Sequence, residues 1–190
     1  MNERHRIVSS EREELILVDE DDNEVGHLSK ADCHDGRGRL HRAFSVFLFN
    51  DAGELLLQQR GRSKRLWPGY WSNSCCSHPR RGESLEIATS RRLMDELNFA
   101  TPLEHVYRFC YQAPFGDAGS ENELCHVYLG RTSGNLRPND SEIEALRFVS
   151  CGALEREFAA SPDEFTPWFK QEWGELTGTY RDRLAPYCSL

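Results

Sequence analysis

"AFSVFLFNDAGELLLQQR", Ala43 to Arg60, sets two apolar, β-rich runs on either side of Asn50-Asp51-Ala52-Gly53. Aromatic and branched side chains suit a pleated strand, while Asn, Asp and Gly supply the dihedral angles and local hydrogen bonds of a tight turn. The stretch predicts a β-hairpin. Downstream, Gly61 to Tyr70 reads as a basic loop containing Trp67-Pro68-Gly69, followed by an extended segment through Cys76. Ser84 to Phe99 has helical spacing. At 100° per residue Ile87, Leu93, Met94 and Leu97 fill one arc, predicted to pack, while Arg92 and Glu96 share a separate face with Leu85 and Thr89.

Strand-like runs follow at "LEHVYRFCYQ" (Leu103 to Gln112), "ENELCHVYLG" (Glu121 to Gly130) and Ile143 to Val149, with a Gly/Pro/Asp loop from Pro114 to Ser120. From Cys151 the tail reads as helix, broken at Pro162 and Pro167. Upstream, Leu15 to Val18 is a short strand closed by the acidic "DEDDNE". There are no internal repeats, low-complexity tracts or linkers, so residues 1–190 are expected to form one domain, with 1–13 a flexible N-terminal extension.

At this length roughly 70% of the unfolded chain's surface can be buried, enough for a core without staples. The seven cysteines are odd in number and contain no C-x-x-C, which points to a reducing cytoplasm rather than a disulfide framework or zinc finger. The charged N-terminus lacks an apolar h-region, no run approaches the ~20 apolar residues of a membrane span, and the C-terminus carries no targeting signal. A net charge of −8 argues against nucleic-acid and anionic-membrane partners. Basic residues nevertheless cluster in Gln58 to Arg65 and His78 to Glu83, which suits a small anionic ligand as well as it suits a solvated loop.

Glu121 and Glu123 are one residue apart on a predicted strand, so both carboxylates project to one face. Exposed strands also alternate Glu for solubility. His34, His41 and His78 are separately unremarkable, but three imidazoles with two carboxylates would form an N₃O₂ set suited to Mn²⁺, Mg²⁺ or Zn²⁺. If Ser74 to His78 is extended, Cys76 and His78 share one face and Cys75 the other. A thiol beside a metal-bound imidazole would sit in an electropositive setting that favours thiolate, whereas two small buried hydrophobes are the plain alternative for a vicinal pair.

The motifs "LSKADCH", "LHRAFSVFLFN", "RGRSKRLWPGYWSNSCCSHPRRGES", "RRLMDEL", "ENELC" and "FTPW", in this order between Leu28 and Trp168, resemble the type I isopentenyl-diphosphate Δ-isomerases. The resemblance implies a Nudix-like α/β fold with a mixed β-sheet flanked by helices. It implies that Cys76 and Glu123, assisted by Tyr111, are the catalytic proton-transfer groups, and that Trp168 stabilises a carbocation-like intermediate. It places a divalent metal on His34, His41, His78, Glu121 and Glu123, and a substrate-borne Mg²⁺ at Glu96. Lys30, Arg60, Lys64 and Arg92 match diphosphate-binding positions. It also implies no flavin, a small homoallylic or allylic diphosphate as the one partner, and a monomer.

This sequence departs from the Nudix hydrolase signature: Arg92 and Asp95 stand where metal-binding glutamates are usual, and Ser77 and Asn98 where glycines are usual. The shortage of metal carboxylates favours an enzyme that leaves the diphosphate intact. Two other readings stand beside it. A Nudix pyrophosphohydrolase would cut the diphosphate with metal-activated water. A metal-stabilised binding protein would explain the histidines but not Cys76, Tyr111 and Trp168.

Overall fold

The predicted hairpin closes through a single residue pair. Phe49 of β3 (His41–Phe49) lies opposite Leu55 of β4 (Leu55–Arg60), and the strands then part. Both are apolar on both faces, with Leu55, Leu56 and Leu57 at most 1% exposed, so each belongs in a sheet interior with a partner on either side. Full burial of such a side chain contributes roughly 1.5–3 kcal/mol, more than a long two-strand ribbon at an edge would gain.

Residues 71–77 form the wedge between them. Strand β5 (Trp71–Ser72) pairs with β4, and β6 (Cys75–Ser77) pairs antiparallel with β3. The buried crossover residue Ser74 accepts a hydrogen bond from Leu48 N–H at 2.8 Å and donates one to the Leu56 carbonyl at 2.7 Å. Asn73 donates to the carbonyls of Val46 and Cys75. These side chains replace the ladder that the parted strands give up.

The computed structural model describes residues 6–188, and among them nine strands form one mixed sheet. Beyond β3 lie β1 (Glu14–Val18) and β2 (Glu24–Ser29); β8 (Ser120–Arg131) runs parallel to β3 and antiparallel to β7 (Leu103–Pro114); β9 (Ile143–Val149) pairs with β4. Alternation along β3 divides the core. Phe44, Val46 and Leu48 join Cys75 under α2 (Leu85–Leu97), while Ala43, Phe47 and Phe49 face α3 (Cys151–Ala160), α4 (Pro167–Thr177) and α5 (Arg181–Leu184). A one-turn helix, α1 (Lys30–His34), is capped by Ser29, whose hydroxyl accepts from Asp32 N–H.

Helix α2 begins at Ser84, whose Oγ accepts from Ile87 N–H, and ends at Asn98 in the left-handed region, φ 50°. Asparagine tolerates that conformation, which is why it can stand where glycine is usual. The packing arc differs from the predicted one. Ile87 and Met94 are exposed, and the buried face is Ala88, Thr89, Arg92, Leu93, Glu96 and Leu97. Arg92 and Glu96 neutralise each other, so an ion pair occupies the face that periodicity alone reserves for apolar residues. Pro167 opens α4 rather than breaking a helix, because the first turn needs no proline N–H. The helix is anchored to the wedge by Thr166 N–H donating to the Trp71 carbonyl at 3.0 Å, and by Ser72 Oγ 3.0 Å from Thr166 Oγ1.

The N-terminal segment is docked from Arg6 onward; residues 1–5 of the expected extension lie outside the described residues. The Val8 carbonyl accepts from Arg92 at 3.1 Å and Arg80 at 3.3 Å, the Arg6 carbonyl accepts from Asn139 and Ser141, and Ser9 Oγ lies 2.6 Å from Lys30 Nζ. Val8 is 5% exposed. Arg6–Glu13 is a strap across the mouth of a cavity. No helix among the described residues is long and apolar enough to cross a membrane.

Candidate active site

Strand register builds one wall of that cavity. His41 lies opposite Glu123 across the β3/β8 ladder, and Tyr111 lies opposite Glu123 across β7/β8, so three polar residues form a row over three strands. Glu121, two residues along, shares the face. His34 comes from the end of α1, and His78 from just beyond β6. The three imidazole rings are 4.8–5.3 Å apart between centroids. One ligand atom from each of the five side chains lies within 4.8 Å of the others.

Backbone carbonyls fix the tautomers. His34 Nδ1 is 2.6 Å from the Lys30 carbonyl and His41 Nδ1 is 2.7 Å from the Arg39 carbonyl. A carbonyl only accepts, so each Nδ1 carries the proton and each Nε2 presents a lone pair to the cluster. His41 Nε2 is buried without a hydrogen-bond partner. Burial, then the neighbouring histidines, hold His41 down at about 4 and His78 well below the ordinary imidazole range. Burial also works against a charged His34, but Glu121 Oε2 at 2.9 Å outweighs it and raises this histidine. An orphaned imidazole nitrogen, neutral His41 and His78 and converging carboxylates fit a divalent cation.

Glu123 divides its oxygens. Oε1 is 2.7 Å from His78 Nε2 and 3.7 Å from His41 Nε2, while Oε2 accepts a 2.6 Å hydrogen bond from the Tyr111 hydroxyl. Burial, then the charge of Glu121, pushes Glu123 well above the carboxylate range, and burial, then Glu123, does the same for the Tyr111 phenol. Both shifts favour the protonated form. Gly119 turns the chain into β8 beside the His34 carbonyl at φ 134°; a Cβ there would stand 2.2 Å from that oxygen, so only glycine fits.

Cys76 faces the cavity, whose volume is about 220 Å³, and packs toward the α4 side of the sheet; Cys75 is fully buried on the α2 side. The expected electropositive setting is only partly supplied by protein groups. Burial pushes the Cys76 thiol up to about 12, and Arg60, with Nη1 3.8 Å from Sγ, works the other way without overcoming it. Arg60 is itself held by the carbonyls of Leu66 and Trp67 at 2.9 and 3.1 Å. Trp67 has φ 47°, a left-handed conformation that costs a bulky residue of order 1–3 kcal/mol. That turn aims its carbonyl at Arg60 and sets its ring edge-on to Trp168, 5.1 Å between centroids. Trp168, 3% exposed, also lines the cavity, with the Arg60 guanidinium carbon 5.2 Å from its ring centre.

The opposite end is cationic and already paired. Lys30, Lys64 and Arg92 line it, while Arg60 stands beside Cys76 and Trp168. Lys64 is ion-paired with Glu142, and Arg92 bridges Glu96 and Glu142. Burial, then the charge of Lys64, lowers Lys30. Burial opposes ionisation of Glu142, but Lys64 and Arg92 hold its carboxyl at about 2. Glu96 sits behind Arg92, outside the cavity lining, whereas Glu142 is in it. Sequence reasoning missed Glu142, because "SEIEAL" reads as ordinary strand alternation. It also missed Ile7, Ser9 and Glu11, which line the cavity from the strap.

The matching family model is the NUDIX domain, over residues 39–169, and the sheet with its flanking helices defines that class of protein. A crystal structure from Deinococcus radiodurans superposes with a TM-score of 0.65 at 26% identity, covering 78% of this chain and 90% of its own. The MutT protein of Methanosarcina mazei, at 16% identity and TM-score 0.57 over 72% of this chain and 91% of its own, shares the fold. Among curated proteins, the isopentenyl-diphosphate Delta-isomerase 1 of Photorhabdus laumondii is 43% identical over 176 residues, 91% of this chain and 99% of its own. The isopentenyl-diphosphate Delta-isomerase of Burkholderia multivorans is 44% identical over 157 residues, 83% of this chain and 89% of its own. The chain belongs to the isopentenyl-diphosphate Delta-isomerase family of NUDIX proteins.

Proposed function

We propose that the protein interconverts isopentenyl and dimethylallyl diphosphate by adding a proton at C4 and removing one from C2. The observation that carries this reading is the shared cavity: a thiol, a hydrogen-bonded Glu123–Tyr111 pair and an indole line one small chamber together with Lys30, Lys64 and Arg92.

Glu123, with Tyr111 donating to Oε2, holds the proton delivered to C4. Cys76 takes the proton from C2. Its thiol must first ionise, and Arg60 is the protein cation placed to favour that. One proton enters the alkene and one leaves it, so the reverse reaction exchanges the two roles. Between the steps the positive charge on the tertiary carbon lies against Trp168, whose π-face attracts a desolvated cation by about 2 kcal/mol or more. Burial of the surrounding aromatics keeps water from that carbon.

His34, His41, His78, Glu121 and Glu123 would hold a divalent ion, Mg²⁺, Mn²⁺ or Zn²⁺, whose charge would favour the anionic forms of the groups beside it. Lys30, Arg60 and the paired Lys64 and Arg92 receive the diphosphate. A Mg²⁺ carried by that diphosphate would be held at Glu96, whose carboxylate Arg92 would have to release, with Glu142 close by at the cavity wall. The test incubates purified protein with isopentenyl diphosphate and a divalent metal, and follows dimethylallyl diphosphate and free phosphate together. Isomer without phosphate is expected; phosphate or pyrophosphate release would favour a hydrolase.

A further inference from the structure

Glu172 has no part in the chemistry above, yet its side chain is fully buried in the core between α4 and the sheet. Its hydrogen-bond partner is the Cys125 thiol, 3.4 Å from Oε1, and Oε2 has none; the Ser45 hydroxyl stands close by. Cys125 Sγ and Ser45 Oγ are themselves 3.5 Å apart. From β7 the Tyr107 hydroxyl donates to the Glu172 backbone carbonyl, at 3.2 Å. Phe47, Trp168, Phe169 and Trp173 belong to the same core cluster, and no basic side chain among the described residues enters the acid's environment. An ionised carboxylate so placed would lack a counter-charge and backbone donors.

Each member of this buried trio is one structural step from a residue of the reaction chamber. Glu172 is one helical turn beyond Trp168, on the same face of α4. Ser45 is the register partner of Cys76. Cys125 is two residues along β8 from Glu123. We propose, resting on the isomerase reading above, that Glu172 is a positioning residue: a neutral carboxylic acid that ties the Trp168 helix to the strand positions behind Cys76 and Glu123. As a neutral acid it accepts from the Cys125 thiol at Oε1 and needs no counter-charge at the unpartnered Oε2.

Ionisation would undo the arrangement. Burial, only partly offset by Ser45 and Cys125, pushes the carboxyl up to about 8, and a negative charge there raises both Cys76 and Glu123 further. An unpaired acid in a core lowers stability relative to an apolar residue of similar size, a sacrifice that proteins concentrate at functional sites.

Three measurements on full-length protein test the assignment. In infrared difference spectra between wild type and Glu172→Gln, the carbonyl band of a neutral carboxylic acid should appear at neutral pH and fade above about pH 8. Glu172→Gln, of the same shape and uncharged, should keep the wild-type kcat at neutral pH and lose the alkaline fall near pH 8. Glu172→Leu should stay folded but lower kcat on the order of tenfold to a hundredfold at unchanged KM, because the supporting donors lose their anchor. The sign for stability is fixed: the folded-state value lies above the ordinary 4.5, so the acid's contribution is complete below about pH 4.5 and lost as pH rises through about 8. The Tm advantage of Glu172→Gln should therefore grow across that window and then level off. Loss of activity in Glu172→Gln at neutral pH, or no such band, would overturn the neutral acid. Wild-type kcat in folded Glu172→Leu would overturn the positioning role. A wild-type protein that does not isomerise defeats the isomerase reading and that role with it, while the infrared band still decides the state of Glu172.

Discussion

The two ends of the cavity solve opposite electrostatic problems. At the histidine–carboxylate end, side chains fixed by strand register converge with a buried imidazole nitrogen unpartnered, so the geometry is complete and the charge is not. At the cationic end, Lys64, Arg92, Glu96 and Glu142 neutralise one another through long side chains drawn from α2 and two loop segments. The first end has its shape before any ligand arrives. The second must exchange partners to accept one. In the proposed mechanism rigid placement serves proton transfer, where small displacements matter most, and adaptable ion pairs serve binding.

The largest expected effect lies at the rigid end. Cys76→Ala should lower kcat by roughly 10²–10⁴-fold, the range for losing a positioned proton-transfer group. Cys75→Ala, on the other face of the same strand, should leave kcat near wild type and lower stability by about 1–2 kcal/mol through a small cavity. Steady-state kinetics and chemical denaturation of both variants check this. Equal residual activities would remove the distinction between the two sheet faces.

Trp168 should come next. If its π-face supplies about 2 kcal/mol to a cationic intermediate, Trp168→Leu should lose roughly thirtyfold in kcat, while Trp168→Phe keeps part of it. KM should change little, because a neutral alkene gains little from the ring's quadrupole. Comparable kcat values for the two folded variants would make Trp168 a packing anchor whose ring serves Trp67 and Arg60.

The same contrast explains what the sequence discloses. Glu121 with Glu123, and Cys76 with His78, are placed by strand alternation, a period-two rule that can be applied to letters, so the common face of each pair is legible before any coordinates, whereas Tyr111 enters only through the resemblance. The long apolar runs of β3 and β4 likewise announce buried strands, although not that a wedge at Asn73-Ser74 would part them after one pair. The burial of Arg92 and Glu96 on α2 is invisible to periodicity, because a neutralised pair packs like an apolar residue while scoring as two charges. Glu142 is hidden for the same reason. The protonated state of Cys76 and the environment of Glu172 follow from burial, a tertiary property that no local pattern encodes.

Breaking the adaptable end should be felt first as stability. Glu142→Gln leaves Lys64 and buried Arg92 without their shared carboxylate, and removing one partner of such a pair costs about 3–5 kcal/mol. Glu96 still holds Arg92, so the lower figure is expected. Inorganic diphosphate with Mg²⁺ should raise the Tm of this variant more than that of wild type, since the anion takes over the missing charge. An equal Tm gain in both proteins would mean that Lys64 and Arg92 are structural cations which do not turn toward the ligand.

The smallest effect should come from the strap, and its sign decides whether Arg6–Glu13 is a wall or a competitor. Two features favour a competitor: Glu11 brings a carboxylate to 3.9 Å from Lys30, and the Val8 carbonyl occupies guanidinium donors of Arg80 and Arg92. Other features favour a wall. Val8 is buried, Ser9 Oγ holds Lys30 Nζ at 2.6 Å, and a carbonyl bonded to a guanidinium orients it without cancelling its charge. Only Glu11 opposes an anion, across a long and half-exposed pair of the kind worth less than about 1 kcal/mol. The wall therefore prevails. Deleting residues 2–9 should raise KM a few-fold, as expected for the loss of about 1 kcal/mol of binding, and leave kcat close to wild type, because the proposed proton-transfer residues Cys76, Tyr111 and Glu123 hang on β6, β7 and β8 and not on the strap. Ser9→Ala should reproduce part of the KM change at wild-type Tm. A fall in KM on deletion would identify the strap as a built-in competitor for the diphosphate end.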